Sequence, residues 1–240
     1  MKKISLLITL CALCSSFVLG QKQDTTATPK KVSAPVLFKD RIVLDFFNSF
    51  WLGLGELPSD IKTKPIQFGF NGSFIFDIPV KKNAPFSFGV GIGVTNFNLY
   101  SNGNWHIGSE YTTVFEYLPE REKYNKNKIT FTNLNIPIEF RYRHRSGFKI
   151  GAGVRIGTTV DVHTKYFGRE ITNIETGQDR KVQIKDYHIP NRTKIPVEVT
   201  FRTGWKFVSI YGSYMITKMF ETDKGPQINP VSVGISLCPY

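Results

Sequence analysis

The stretch FKIGAGVRIGTTVDVH, residues 148–163, decides the fold of this 240-residue chain. Phe148, Ile150, Ala152, Val154, Ile156, Val160 and Val162 fall on one side of a period-two repeat. Lys149, Gly151, Gly153, Arg155, Gly157, Thr159, Asp161 and His163 fall on the other. Strict alternation over sixteen residues is a strand signature, because successive side chains of a strand point to opposite faces. The stretch is also far longer than the five or six residues of an ordinary globular strand, and it matches a tilted strand that crosses a bilayer.

The same split recurs in seven more segments. Phe68, Phe70, Phe74 and Phe76 oppose Gly69, Asn71, Ser73 and Asp77, while Phe86, Phe88, Val90, Ile92 and Val94 oppose Ser87, three glycines and Thr95. Leu134, Ile136, Ile138 and Phe140 oppose Asn133, Asn135, Glu139 and Arg141. Residues 195–205, 208–217 and 231–238 alternate likewise, and 41–51 does so less cleanly because Phe46 and Phe47 are adjacent. The connections alternate too. Residues 79–85, 144–147 and 204–206 are short, whereas 52–65, 100–128, 165–194 and 221–229 are long. Eight strands joined by alternating long and short connections predict an all-β fold, an eight-stranded antiparallel up-and-down transmembrane β-barrel with its short turns and both termini at the periplasmic end.

Alternation leaves open which face points outward, since a lipocalin-type barrel has an apolar lumen. Three features favour the membrane form. The polar face mixes charges of both signs with many glycines, which suit a narrow lumen and weaken a solvated sheet. The apolar face is nearly pure Phe, Ile, Val and Leu. Aromatic residues (Trp51, Tyr100, Tyr142, Tyr166 and Trp205) stand near strand ends, where an interfacial girdle belongs.

Composition agrees. Hydrophobic residues make up 41% of the chain and aromatics 14%, too much apolar surface for a disordered chain. The longest apolar run, near the N-terminus, is too short to span a bilayer as a helix. Lys2 and Lys3, the apolar segment 4–13 and small residues near Gly20 read as a secretory leader over residues 1–20. Residues 21–36, rich in Thr, Lys and Pro, read as a flexible periplasmic tail, and 37–240 as the barrel domain. Loss of the leader removes Cys11 and Cys14 and leaves Cys238 alone, so neither a disulfide framework nor a cysteine zinc site is expected. Net charge is +12, or +10 without Lys2 and Lys3, which suits anionic lipid or polysaccharide better than nucleic acid, the alternative being a solvated surface that is simply basic.

The polar face carries the expected lumen charge network: Glu139, Arg141, Arg143, Arg155, Asp161, His163, Glu198 and Arg202. The motif Ile136-Pro137-Ile138-Glu139 is echoed by Ile195-Pro196-Val197-Glu198, and each Glu is expected to neutralise an inward Arg on a neighbouring strand, because an unpaired buried charge is costly. His106, His144, His163 and His188 lack metal-ligand spacing, so no metal and no cofactor is expected. Thr159, Asp161 and His163 share one strand face by strict counting, which would place a hydroxyl near a His–Asp pair at the outer rim. The long segments 100–128 and 165–194 hold the candidate external contacts: Trp105, Tyr111, Tyr117, Tyr166, Arg180 and Lys181. Segment 165–194 carries seven Lys/Arg against four Asp/Glu, a net +3 suited to lipopolysaccharide phosphates.

PFSFGVGIGVTNFNLYSN (85–102), IPIEFRYR (136–143), FKIGAGVRIG with HTKYFG (148–168) and GPQINPVSVGISL (225–237) together resemble the Bacteroidota outer-membrane β-barrel family that includes PorT. The resemblance spans most of the chain after the leader. It implies a small outer-membrane barrel without an assigned activity, PorT itself being linked to type IX protein secretion. Outer-membrane barrels usually end on an aromatic residue, and Tyr240 is one, although Pro239 interrupts the alternation before it. The leading expectation is a non-enzymatic scaffold or accessory subunit of an envelope complex, with outer-membrane lipid, lipopolysaccharide and another envelope protein as partners. The alternatives are a lipid- or glycan-modifying enzyme at Asp161 and His163, and a narrow transport pore.

Overall fold

In the computed structural model, the described residues are 41–53, 59–81, 84–108, 111–117, 124–169, 181–187 and 189–238. The expectations for the leader 1–20, the tail 21–36, Arg180, His188, Pro239 and Tyr240 lie outside them.

Eight strands close on themselves: β1 (Arg41–Leu52), β2 (Phe68–Pro79), β3 (Phe86–Tyr100), β6 (Tyr124–Arg143), β7 (Phe148–Arg169), β9 (Val197–Trp205), β10 (Val208–Met215) and β11 (Asn229–Leu237). Each pairs antiparallel with its neighbour around the barrel, and β11 pairs with β1 through Leu44↔Leu237 to Leu52↔Asn229, which leaves no open edge in the barrel wall. Closure of this kind pairs the backbone all round the wall, the condition for crossing a bilayer with strands. The remaining strands lie in the long connections. β4 (Gly103–Ile107) and β5 (Thr113–Tyr117) form a separate hairpin between β3 and β6, and β8 (Lys181–Asp186) extends the outer half of β7.

Burial decides the orientation. Asp45, Asn71, Thr95, Glu139, Arg155 and Ser236 are all buried, whereas Ile42, Phe50, Ile92, Ile136, Ile210 and Ile235 are more than half exposed. Polar residues fill the lumen and apolar residues coat the wall, the reverse of a soluble barrel and the pattern of a transmembrane one. On β3 the outward apolar run goes from Phe86 to Val94, about 20 Å tall once a strand tilt near 40° is allowed for. The short turns cluster at the opposite end from the long connections. Lys206 and Phe207 link β9 to β10 as a two-residue turn, and Gly147 at φ 99° closes the β6–β7 turn in a conformation a side chain would resist.

Above the belt the pattern inverts. Outward positions on β3 become Asn96, Asn98 and Tyr100, and inward ones become Phe97 and Leu99, buried to within 1%. Phe97, Leu99, Ile129, Phe131, Val162, Met215 and Phe220 join Trp105 and Phe115 of the β4–β5 hairpin in one apolar cluster. Along β3, β6 and β7 the outer end is thus built like a water-soluble protein, with an apolar interior and a polar wall, and it caps the lumen; on β1 the wall stays apolar through Phe50 and Leu52, both about half exposed.

Candidate functional site: the charged lumen and its outer cap

The lumen centre is Arg155, 1% exposed, which projects inward from the middle of β7. Its guanidinium donates to Asp45 Oδ2 at 2.6 Å, Glu198 Oε2 at 3.2 Å and Tyr211 Oη at 2.8 Å. Tyr211 Oη in turn donates to Glu198 Oε1 at 3.2 Å, and its ring lies 5.3 Å from the Arg155 guanidinium and 5.1 Å from that of Arg202. Arg202 holds Asp45 Oδ2 at 2.7 Å and also pairs with Glu139. Arg141 joins Glu139 at 2.8 Å to Asp77 at 3.1 Å, and Arg143 also pairs with Asp77. Four arginines therefore meet four carboxylates, Asp45, Asp77, Glu139 and Glu198, in one chain of shared contacts.

Such mutual compensation is what makes charge tolerable inside a narrow wall: each ion loses water but gains a charge-assisted partner. Small residues create the space. On β2, Gly69 sits opposite Phe47 in register, and the Phe47 ring occupies the volume a Cβ on Gly69 would need. Among the described residues, two small cavities lie within the charged fill. One of about 40 Å³ lies at the short-turn end between Val43, Glu139, Arg141, Arg202 and Cys238. The other, about 10 Å³, lies between Thr95, Asn133, Asn135 and Arg155. These are volumes for a few waters at most.

The cap closes the other end. Trp105 stacks on Phe115 with centroids 4.1 Å apart and on Phe220 at 5.3 Å, and Phe220 meets Phe131 edge-on at 5.5 Å. Hydrogen bonds brace the covering segments: Thr113 N–H donates to Lys224 O at 2.9 Å, and the Thr113 hydroxyl donates to Pro190 O at 3.0 Å. Tyr211 links cap to network, its ring 5.6 Å from that of Phe47 and its hydroxyl among the ions.

Of the residues expected in the lumen network, Glu139, Arg141, Arg143, Arg155, Glu198 and Arg202 come together. Glu198 pairs with Arg155 on the adjacent strand, but Glu139 finds its arginines on its own strand and across the lumen on β9. Asp161 and His163 do not join. Opposite β6 the register shifts from Asn133↔Thr159 to Thr132↔Asp161, so Val160 is an extra residue and the strand faces exchange. Beyond this bulge Val162, Thr164 and Tyr166 point inward, while Asp161 and His163 face out, hydrogen-bonded to each other at 2.6 Å. Thr159 stays on the inner side and donates to Thr193 O at 2.8 Å, so the hydroxyl and the His–Asp pair lie on opposite faces.

Other expectations are corrected as well. Trp105, 4% exposed, and Tyr166, 5% exposed, are interior residues and not external contacts. Trp51, 6% exposed, belongs to the cap and not to a girdle. Tyr111 is 80% exposed, Lys181 is exposed on β8, and the side chain of Tyr117 lies outside the described residues. Asp45, Asp77 and Tyr211 were missed as network members. Parity along each strand already turns all three inward, and that was the available signal. Among the described residues no group of three His, Cys, Asp or Glu side chains could hold a metal.

A family model described as an outer membrane protein beta-barrel domain matches residues 46–221. No curated protein matches the sequence. Among solved structures, the chain is similar to Ail, the attachment invasion locus protein of Yersinia pestis, at 12% identity and a TM-score of 0.37, with 83% of this chain and 97% of that chain covered. A second Ail structure, in complex with the heparin analogue sucrose octasulfate, aligns over the same shares at 11% identity and a TM-score of 0.35.

Proposed function

The chain belongs to the outer membrane protein beta-barrel domain family, and on that footing we propose that it is a non-conducting, non-enzymatic barrel serving as a scaffold or accessory subunit of an envelope complex. The observation that carries this reading is the closed lumen: four arginines interlocked with four carboxylates around Arg155, under an apolar cap. An ion crossing such a barrel would have to break buried ion pairs and then pass a desolvated aromatic cluster. In this reading residues 1–20 direct export and are removed, the protein is a PorT-like barrel of a Bacteroidota-type outer membrane, and its partners are the surrounding lipopolysaccharide and a larger envelope assembly. The resemblance of residues 85–102, 136–143, 148–168 and 225–237 to that family supports the last points.

Two experiments test it. Planar-bilayer recordings of the purified chain should show no discrete conductance; step-like openings would reinstate the pore. A mild-detergent pull-down from native outer membranes, read by mass spectrometry, should recover a stoichiometric partner, and a barrel that comes down alone would remove the accessory role. His163→Ala should leave the function of the assembly unchanged, since the Thr159 hydroxyl lies on the other face from His163.

A further inference from the structure

On the outer wall above the apolar belt, one row of residues crosses four strands in register: Tyr100 on β3, Lys128 on β6, Lys165 on β7 and Lys185 on β8. Directly opposed residues share a face with Cβ atoms about 5 Å apart, and like charges so placed repel. Lys126, two residues along β6, adds a fourth ammonium to the same face. Lys126 and Lys128 lie 5.8 and 5.6 Å from the Tyr100 ring, Lys128 Nζ donates to Asn98 Oδ1 at 2.5 Å, and Lys185 Nζ donates to Tyr187 Oη at 2.7 Å. These neighbours are neutral.

Among the described residues, none of the four lysines forms a salt bridge. Asp161, on the same face of β7, is held by His163, and Asp186 is paired in register with Thr164 on the inner side. The contrast with the lumen is chemical: there each of the four arginines has a carboxylate, whereas among the described residues this folded row of like charges has none. Burial, and then repulsion from Lys126, Lys165 and Lys185, holds the Lys128 ammonium down at about 8. An arrangement of this kind is relieved by an anion from outside the chain.

We propose that this lysine row binds phosphate groups carried by the headgroups of outer-leaflet lipids around the barrel. The row projects sideways from the wall and shares its face with the lipid-facing residues Val94 and Leu134 lower on β3 and β6. It stands six residues beyond them, about 15 Å in height after strand tilt, and a lysine side chain of about 6 Å reaches down from there into a saccharide-phosphate layer. The inference deepens the lipopolysaccharide partnership proposed above and rests on the outer-membrane placement; it is independent of the scaffold role.

Native mass spectrometry of the full chain in a neutral detergent tests it, with diphosphorylated lipid A, its dephosphorylated form and inorganic pyrophosphate as probes. Lys128→Gln/Lys165→Gln should lose about tenfold in affinity for the phosphorylated lipid, while Lys62→Gln, elsewhere on the surface, should not. Wild-type binding should weaken as pH rises through about 8, because Lys128 then sheds the charge that the phosphate needs. Without lipid, the double variant should melt at or above the wild-type temperature, since it removes repulsion; this shows that a lost affinity is not a lost fold. Competition by pyrophosphate would identify phosphate itself as the recognised unit, and its failure would assign recognition to the lipid headgroup as a whole. Equal binding by the variant, or equal binding of the dephosphorylated lipid, would overturn the proposal.

Discussion

Arg155 shows how much of this molecule rests on single side chains. It is the largest fully buried side chain of the lumen and bridges Asp45, Glu198 and Tyr211, so Arg155→Met would leave acceptors without their donor. Removing one partner of a buried ion pair costs about 3–5 kcal/mol, more than the pair itself contributes. The expected result is a clearly lower melting temperature in detergent with the barrel still assembled. Adding Glu198→Gln to Arg155→Met should restore part of the loss, because it removes one of the stranded charges. Asp45 should not be rescued in this way, since Arg202 still holds it at 2.7 Å. Lys128 is the opposite case at the same scale. Its folded pKa is depressed, so protonating it costs the folded chain stability below about 8, a cost that fades as pH rises and Lys128 becomes neutral in the fold.

At the scale of elements, the bulge at Val160 does the most. One extra residue exchanges the faces of β7, turning Val162, Thr164 and Tyr166 inward and Asp161 and His163 outward. Cysteine scanning reads this directly. In intact outer membranes Asp161→Cys should react with a membrane-impermeant maleimide and Val162→Cys should not, and the reverse would restore strict alternation through the strand. The cap is the second element that matters. Phe131 is 1% exposed between Trp51 and Phe220, and Phe131→Ala should cost about 3–5 kcal/mol by opening a cavity there. That loss should appear as protease sensitivity of the outer segments before the membrane-embedded half unfolds, because the cavity opens within the apolar cap and leaves the ion pairs below it in place.

The whole molecule combines two solvents in one wall. In the lower half, lipid outside selects Phe, Ile and Val for the wall and forces polar groups inward, where they must pair. In the upper half of β3, β6 and β7, water outside selects Asn, Thr and Lys for the wall, and the interior reverts to Phe, Leu and Ile. The inversion follows from changing the solvent along a continuous strand. It predicts that the height of the belt, and not the length of the strands, sets how deep the barrel sits. Placing a charge at Ile92, 64% exposed in the belt, should cost about 2–4 kcal/mol, while the same change at Asn96, two register steps above Val94's pair, should cost little. Folding titrations of the two variants into vesicles compare them.

Period-two alternation and connection length determined the eight strands and their antiparallel order, and the composition of the two faces, mixed charges and glycines against Phe, Ile, Val and Leu, pointed to the polar lumen and six of the network residues. That information is local: side-chain parity and loop length are properties of consecutive residues. The bulge, the cap and the lysine row depended on tertiary structure. Val160 looks like any other residue of an alternating run, and only pairing with β6 shows that it has no partner. Trp105 and Tyr166 read as loop aromatics until the β4–β5 hairpin folds over the lumen and the exchanged face of β7 turns inward. Lys128, Lys165 and Lys185 lie far apart in sequence, and they become neighbours through strand register, which hydrogen bonding between chain segments sets and the local pattern of residues does not record.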